Sequence, residues 1–198
     1  MSGVKALLVD LDGTLVDTAE VNFAAYRAAL EPHGVTLTRQ WWLANGFGRN
    51  WRQFLPELLG QAGPVAQDVA NRKAALYSEF VGETVVNRPL VKLIEWLRPA
   101  ARTALVTAAS SSATDLLLDF HDLRRLFDEV VTGDDVAAHK PSPLAFEAAA
   151  ERLGVGCGEC LVIEDSEVGK AAAAAFGAPC LMVGEFLATP NERLMRAS

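Results

Sequence analysis

From Pro89 onward the chain repeats one pattern: a helix-length segment, then a short apolar run. Segment 89–97 precedes the run 103–107, 112–120 precedes 129–132, 143–153 precedes 161–163, and 167–176 precedes 180–183. Short apolar strands alternating with helices of about 10–15 residues predict βα units and a parallel sheet. A further run near the N-terminus, Ala6-Leu7-Leu8-Val9, is apolar throughout. A strand covered on both faces reads this way, because neither face meets water.

Between Asp17 and Gly82 the pattern is different. Asp17 with Glu20 predicts a capping box that opens a helix running to Glu31, where Pro32 and Gly34 stop it. Thr38 is placed to cap a short helix through Trp41, Trp42 and Leu43 to Gly46. Asn50 is placed to cap another, in which Trp51, Phe54, Leu55, Leu58 and Leu59 share one helix face. A last helix over 64–81 carries Val65, Val69, Leu76 and Phe80. No strand pattern interrupts this stretch, so it reads as a small helical insert. The expected fold class is α/β. Residues 1–16 and 86–198 form a Rossmann-like parallel-sheet core with helices on both faces, and 17–85 form a helical cap. One domain with an inserted subdomain suits a chain of 198 residues.

Composition narrows the function. Hydrophobic residues are 51% and charged residues 22%, which excludes a disordered chain. A net charge of −7 argues against a protein that holds nucleic acid on a basic face. No apolar run reaches the roughly 18 residues of a membrane span, and the N-terminus does not read as a signal peptide. The expected compartment is the cytoplasm. Cys157, Cys160 and Cys180 are too few for a disulfide scaffold. Cys157 and Cys160 have CxxC spacing but lack the two further ligands of a structural zinc, and they read as ordinary thiols in a turn. His33, His121 and His139 lack metal-like spacing.

Three of the expected strands end at polar residues: Asp10 after the first, Thr107 on the second, Glu164-Asp165 after another. In open α/β sheets the ligand crevice lies at the carboxyl ends of the strands. The fold therefore gathers Asp10, Asp12, Glu164 and Asp165. Four acids in a small space repel one another unless a cation is present, and an all-oxygen cluster suits Mg²⁺. Lys140, in Lys140-Pro141-Ser142-Pro143, supplies positive charge just before a helix, and Thr107-Ala108 supplies a hydroxyl and backbone N–H groups.

Together these residues resemble the haloacid dehalogenase superfamily of phosphohydrolases. Asp10-Leu11-Asp12-Gly13-Thr14-Leu15-Val16-Asp17-Thr18 is similar to its first motif. Thr107 is similar to the second, Lys140-Pro141-Ser142-Pro143 to the third, and Ile163-Glu164-Asp165-Ser166-Glu167-Val168-Gly169 to the fourth. The order is that of the family, and the helical insert after motif one resembles the cap of its phosphoglycolate phosphatase and β-phosphoglucomutase subgroup. The chain departs in Thr107-Ala108-Ala109-Ser110, where the family more often has Thr-Asn, Ser-Asn or Ser-Ala-Ser, and in Leu144, where Asp is frequent.

The resemblance implies that Asp10 attacks phosphorus and that Asp12 protonates the leaving group and then activates water. Lys140, Thr107 and Ala108 would hold the phosphoryl oxygens. It also implies Mg²⁺ on Asp10, the Asp12 carbonyl, Glu164 and Asp165. Arg49 resembles a cap arginine that reads the distal part of the substrate; a solvated surface arginine is the plainer reading of the same residue. Trp41, Trp42 and Trp51 read as stacking groups or as the core of a small bundle, the latter for at least two of them. The expected activity is a phosphatase for a small phosphorylated metabolite. Its alternatives are a phosphomutase and a degenerate phosphate-binding regulatory domain. The expected partner is the small substrate alone, with no nucleic acid or membrane and a monomeric or dimeric state.

Overall fold

The computed structural model describes residues 3–47, 49, 51–60 and 63–183. The chain runs β1 (Ala6–Val9), β2 (Val16–Asp17), α1 (Ala19–Leu30), α2 (Arg39–Trp41), α3 (Trp51–Leu59), α4 (Pro64–Phe80) and β3 (Val85–Val86). It continues as α5 (Arg88–Leu97), β4 (Arg102–Val106), α6 (Ser111–Phe120), β5 (Glu129–Val131), α7 (Leu144–Leu153), β6 (Cys160–Glu164), α8 (Glu167–Phe176) and β7 (Cys180–Met182). It divides into two compact units, residues 1–17 with 86–198, and residues 18–85.

In the first unit, five strands among the described residues form a parallel sheet in the order β5-β4-β1-β6-β7. Ala6, Leu8, Ala104, Val106, Val131 and Val162 pack with Phe146, Ala149 and Leu153 of α7 and Ala172, Ala173 and Phe176 of α8. The alternate residues Leu7, Val9, Leu105 and Ile163 are buried too. Side chains alternate across a strand, so both faces are covered, as the unbroken apolar runs require. The alanine run of α8 keeps small side chains at the sheet, where Ala172 and Ala173 are fully buried. Gly177, in the left-handed conformation, ends that helix.

Strand register positions the residues just past each strand end. Val9 stands level with Leu105 on one side and Ile163 on the other. One residue on, Asp10 donates its backbone N–H to the Ile163 carbonyl at 3.0 Å. The connection from β1 runs to β4 on one side and that from β6 runs to β7 on the other, which makes the carboxyl ends of the neighbouring strands β1 and β6 the topological switch point.

In the second unit, Phe54 is fully buried between Tyr26 and Trp42, with ring centroids 5.0 and 5.6 Å away. Trp42 is buried and donates its indole N–H to the Ala19 carbonyl at 3.3 Å, while Trp41 and Trp51 pack half-buried against the same cluster. Thr38 caps α2 by accepting from the Trp41 N–H, and the helix continues as one π-turn over Trp42–Gly46. Gly46 is required there, because a Cβ would fall 2.3 Å from the Trp42 ring.

Some local expectations change. The N-cap of α1 is Thr18, not Asp17, and it carries no side-chain cap, while Glu20 pairs with Arg39. α1 stops at Leu30, one residue earlier than expected, and a 3₁₀ turn over Glu31–His33 comes next. The cap assigned to Asn50 lies outside the described residues, although α3 begins where expected. The short ribbon of β2 and β3 has no periodicity long enough to read in sequence. Among the described residues no helix is long and apolar enough to cross a membrane.

Replacing Phe54 by Ala should lower the unfolding free energy by about 3–5 kcal/mol, the usual cost of emptying a buried aromatic site. Urea denaturation followed by tryptophan fluorescence measures it, and a loss below about 1 kcal/mol would show that the surrounding rings collapse into the space.

Candidate active site

The turn after β1 is built to bring its side chains back to the sheet edge. Gly13 N–H donates to the Val16 carbonyl, and the Leu15 and Val16 N–H groups donate to the Leu11 carbonyl. Gly13 has φ +87°, and a Cβ there would fall 2.2 Å from Asp165 Oδ2. Glycine is therefore needed twice, for the left-handed turn and for the approach of Asp165. The fully buried Thr14 donates its hydroxyl to Asp165 Oδ1 at 3.2 Å.

Lys140 comes from the segment between β5 and α7. Its ammonium donates to Asp10 Oδ1 at 2.6 Å, to Glu164 Oε1 at 2.7 Å and to the Val106 carbonyl at 3.1 Å. Its side chain is only 8% exposed and that of Glu164 only 1%. Burial alone would favour the neutral amine. The Asp10 and Glu164 carboxylates outweigh it and keep Lys140 charged, with its pKa raised.

Glu164 is held by four donors, Lys140 among them. Its Oε2 accepts from the Asp165 and Ser166 N–H groups, each at 3.0 Å, and from the Ser166 hydroxyl at 2.9 Å. Gly169, in the first turn of α8, lies against this carboxylate so closely that a Cβ would meet Oε1 at 1.8 Å. Ser166 and Gly169 stand in motif four, but their service to Glu164 rests on a fold-back that residue type alone does not reveal.

Asp10, Glu164 and Asp165 each present an oxygen within 4.8 Å of the others. If all three are ionised, Lys140 leaves two negative charges unbalanced. Burial, then the neighbouring Glu164 and Asp165 carboxylates against the opposing Lys140, hold Asp10 well above the ordinary carboxylate range. Burial and then Glu164 push Asp165 up to about 6. An all-oxygen, charge-deficient cluster of this kind fits a small divalent cation such as Mg²⁺.

Beside the cluster, Thr107 directly follows β4, which stops one residue earlier than the sequence suggests. Its hydroxyl donates to Asp12 Oδ2 at 3.2 Å and accepts from the Ala109 N–H at 3.0 Å, and Ala108 is exposed on the same turn. The first unit thus brings Asp10, Asp12, Thr107, Ala108, Lys140, Glu164 and Asp165 to one edge of the sheet. Arg49 belongs to the second unit. Its guanidinium forms a two-pronged pair with Glu57, at 2.7 and 3.0 Å, and also donates to the Asn45 carbonyl at 2.8 Å. Cys157 and Cys160 are free thiols, the first exposed and the second buried with its S–H on the Gly156 carbonyl.

A family model described as haloacid dehalogenase-like hydrolase matches residues 4–177. The chain is similar to the fructose-1-phosphate phosphatase YqaB of Escherichia coli, with 33% identity over 173 residues, 86% of this chain and 92% of the relative. It is 31% identical over 180 residues to a phosphorylated carbohydrates phosphatase of Thermotoga maritima, covering 88% of this chain and 82% of the relative. Among solved structures it resembles CbbY from Rhodobacter sphaeroides in complex with phosphate, with TM-score 0.80 and 26% identity over 90% of this chain and 85% of that one. A mutant of that protein has been solved with xylulose-(1,5)-bisphosphate.

Two rules make opposite forecasts for Gly169→Ala. Helix propensity alone favours alanine by about 1 kcal/mol, whereas overpacking against a carboxylate fixed by four donors costs about 1–3 kcal/mol. The clash with Glu164 should win, and urea denaturation should show net destabilisation; a stabilised variant would mean that Glu164 moves aside freely.

Proposed function

Because the chain belongs to the haloacid dehalogenase-like hydrolases, we propose that it is a Mg²⁺-dependent phosphatase of phosphorylated sugars that works through an aspartyl-phosphate on Asp10. The observation that carries this reading is the buried Asp10–Lys140–Glu164 pairing, with Asp12 and Thr107 hydrogen-bonded to each other at the same strand ends. The substrate class rests on the relatives, whose names specify fructose 1-phosphate and phosphorylated carbohydrates.

Lys140 holds Oδ1 of Asp10 and so presents Oδ2 as the nucleophile. As the new O–P bond forms, the bond from phosphorus to the sugar oxygen breaks, and Asp12 gives that oxygen a proton. Asp12 then takes a proton from the water that attacks the acyl-phosphate, releasing inorganic phosphate and restoring Asp10. Lys140, the Thr107 hydroxyl and the Ala108 N–H bind the phosphoryl oxygens, where charge is spread in the transition state. Asp10, the Asp12 carbonyl, Glu164 and Asp165 would hold Mg²⁺, which offsets the repulsion between carboxylate and phosphate. The segment 17–85 serves as the cap that selects the sugar. Arg49 is its candidate for an anionic or hydroxyl-rich end, and binding there means exchanging Glu57 for the substrate.

Asp10→Asn should keep the fold and reduce hydrolysis of p-nitrophenyl phosphate by at least about 10³-fold. Inorganic phosphate release from a panel of sugar phosphates checks both the activity and the substrate class, and wild-type turnover of none of them would overturn the reading. Mg²⁺ should raise the melting temperature of the wild type at neutral pH and not that of Asp165→Asn, as scanning fluorimetry would show. An equal shift in both proteins would move the metal elsewhere.

A further inference from the structure

Two turns meet beside the candidate site, and only one of them carries residues with an assigned role. The first is Thr107-Ala108-Ala109-Ser110 after β4, and the second is Thr132-Gly133-Asp134-Asp135 after β5. Gly133 donates its N–H to the Ala109 carbonyl at 2.8 Å. A Cβ on Gly133 would lie 2.5 Å from the Ala108 carbonyl oxygen and 3.1 Å from the Ala109 one. The contact is with backbone, which cannot swing aside as a flexible side chain does. Asp134 Oδ2 accepts from the Ser111 N–H at 2.8 Å, and the Ser111 and Thr132 hydroxyls are 2.9 Å apart.

Each hydroxyl has one proton to give, which fixes its direction here. Asp135 Oδ2 accepts from both the N–H and the hydroxyl of Thr132, each at 2.7 Å. With its proton on Asp135, Thr132 can only accept, so Ser111 is the donor between them. Arg152 of α7 holds the other oxygen of Asp135 at 2.8 Å. On the far side of the Ala108–Ala109 peptide, the Ala109 N–H fills a lone pair of Thr107, and the Thr107 proton points to Asp12 Oδ2. That peptide is gripped at its carbonyl end by the Gly133 turn and at its N–H end by Thr107.

We propose that Gly133 and Asp134 are positioning residues: they fix the Ala108–Ala109 peptide, whose N–H holds the Thr107 oxygen, and so set the place from which the Thr107 hydroxyl and the neighbouring Ala108 N–H meet phosphate. The proposal rests on the phosphatase reading above and deepens it, adding a second turn that touches neither substrate nor the carboxylate cluster. It also explains why small residues suffice at positions 108 and 109, where the turn is held by backbone contacts from outside.

The test compares wild type, Gly133→Ala, Asp134→Ala and Asp134→Asn in KM for p-nitrophenyl phosphate and in Ki for inorganic phosphate. Neither constant depends on the fraction of folded enzyme, so a loss of stability alone leaves both unmoved. Gly133→Ala should raise both by about tenfold or more, and Asp134→Ala by about three- to tenfold. Asp134→Asn should return within about twofold of wild type, since its amide oxygen accepts the same Ser111 N–H. If Gly133→Ala does not fold, the exposed Asp134 carries the test with its Ala and Asn variants. Unchanged constants in the folded Ala variants would overturn the proposal while leaving the phosphatase reading in place. A wild type that neither hydrolyses the ester nor binds phosphate would overturn both.

Discussion

One buried cation ties the carboxyl ends of three strands together. The Lys140 ammonium reaches the end of β1 through Asp10, the end of β4 through the Val106 carbonyl and the end of β6 through Glu164. Three strands that arrive from distant parts of the chain are therefore fixed to one another at the point where backbone pairing stops. A buried ion pair contributes little net stability once desolvation is counted, but removing one partner leaves an uncompensated charge at a cost of about 3–5 kcal/mol. Losing the lysine would leave both Asp10 and Glu164 unpaired, whereas neutralising Asp10 alone leaves Glu164 to balance the ammonium. The arrangement also leaves more negative than positive charge among these groups, the imbalance that a divalent cation would offset under the proposed function.

The glycines near the site reflect the same crowding. Gly13 admits Asp165, Gly169 admits Glu164, and Gly133 admits a peptide of the neighbouring turn. Each lets charged or polar groups approach closer than any side chain would allow. Two of the three, Gly133 and Gly169, have φ outside the left-handed region, so the absence of a side chain matters there for space and not for backbone freedom.

The parallel sheet is legible in the sequence because its strands are apolar on both faces and its helices have ordinary stops, as at Gly154 and Gly177. Asp10, Thr107, Glu164 and Asp165 are legible as groups at strand ends, since register carries residues one step past paired positions to a common edge. Features that depend on partners remote in sequence are hidden. Glu20 reads as half of a capping box, yet Arg39 claims it. Arg49 reads as a cap arginine for substrate or as a solvated one, and its pairing with both oxygens of Glu57 is visible only in the structure. The Gly133 turn carries no chemical signal, because its role is exerted through backbone atoms of another loop.

Asn87 and the ribbon beside it have an architectural consequence. Its N–H donates to the Leu15 carbonyl at 2.9 Å, its side-chain amide donates to the Thr14 carbonyl at 3.1 Å, and its Oδ1 accepts from the Leu90 N–H to cap α5. With β2 paired to β3, the outgoing and returning chains are stitched side by side. Seen from the sheet, everything between them is a closed loop whose two ends are already in register. Loop-closure entropy grows only with the logarithm of length, so such a socket accepts segments of very different size at nearly constant cost. A core with such a socket can carry inserted segments of different size while its strand ends keep their places.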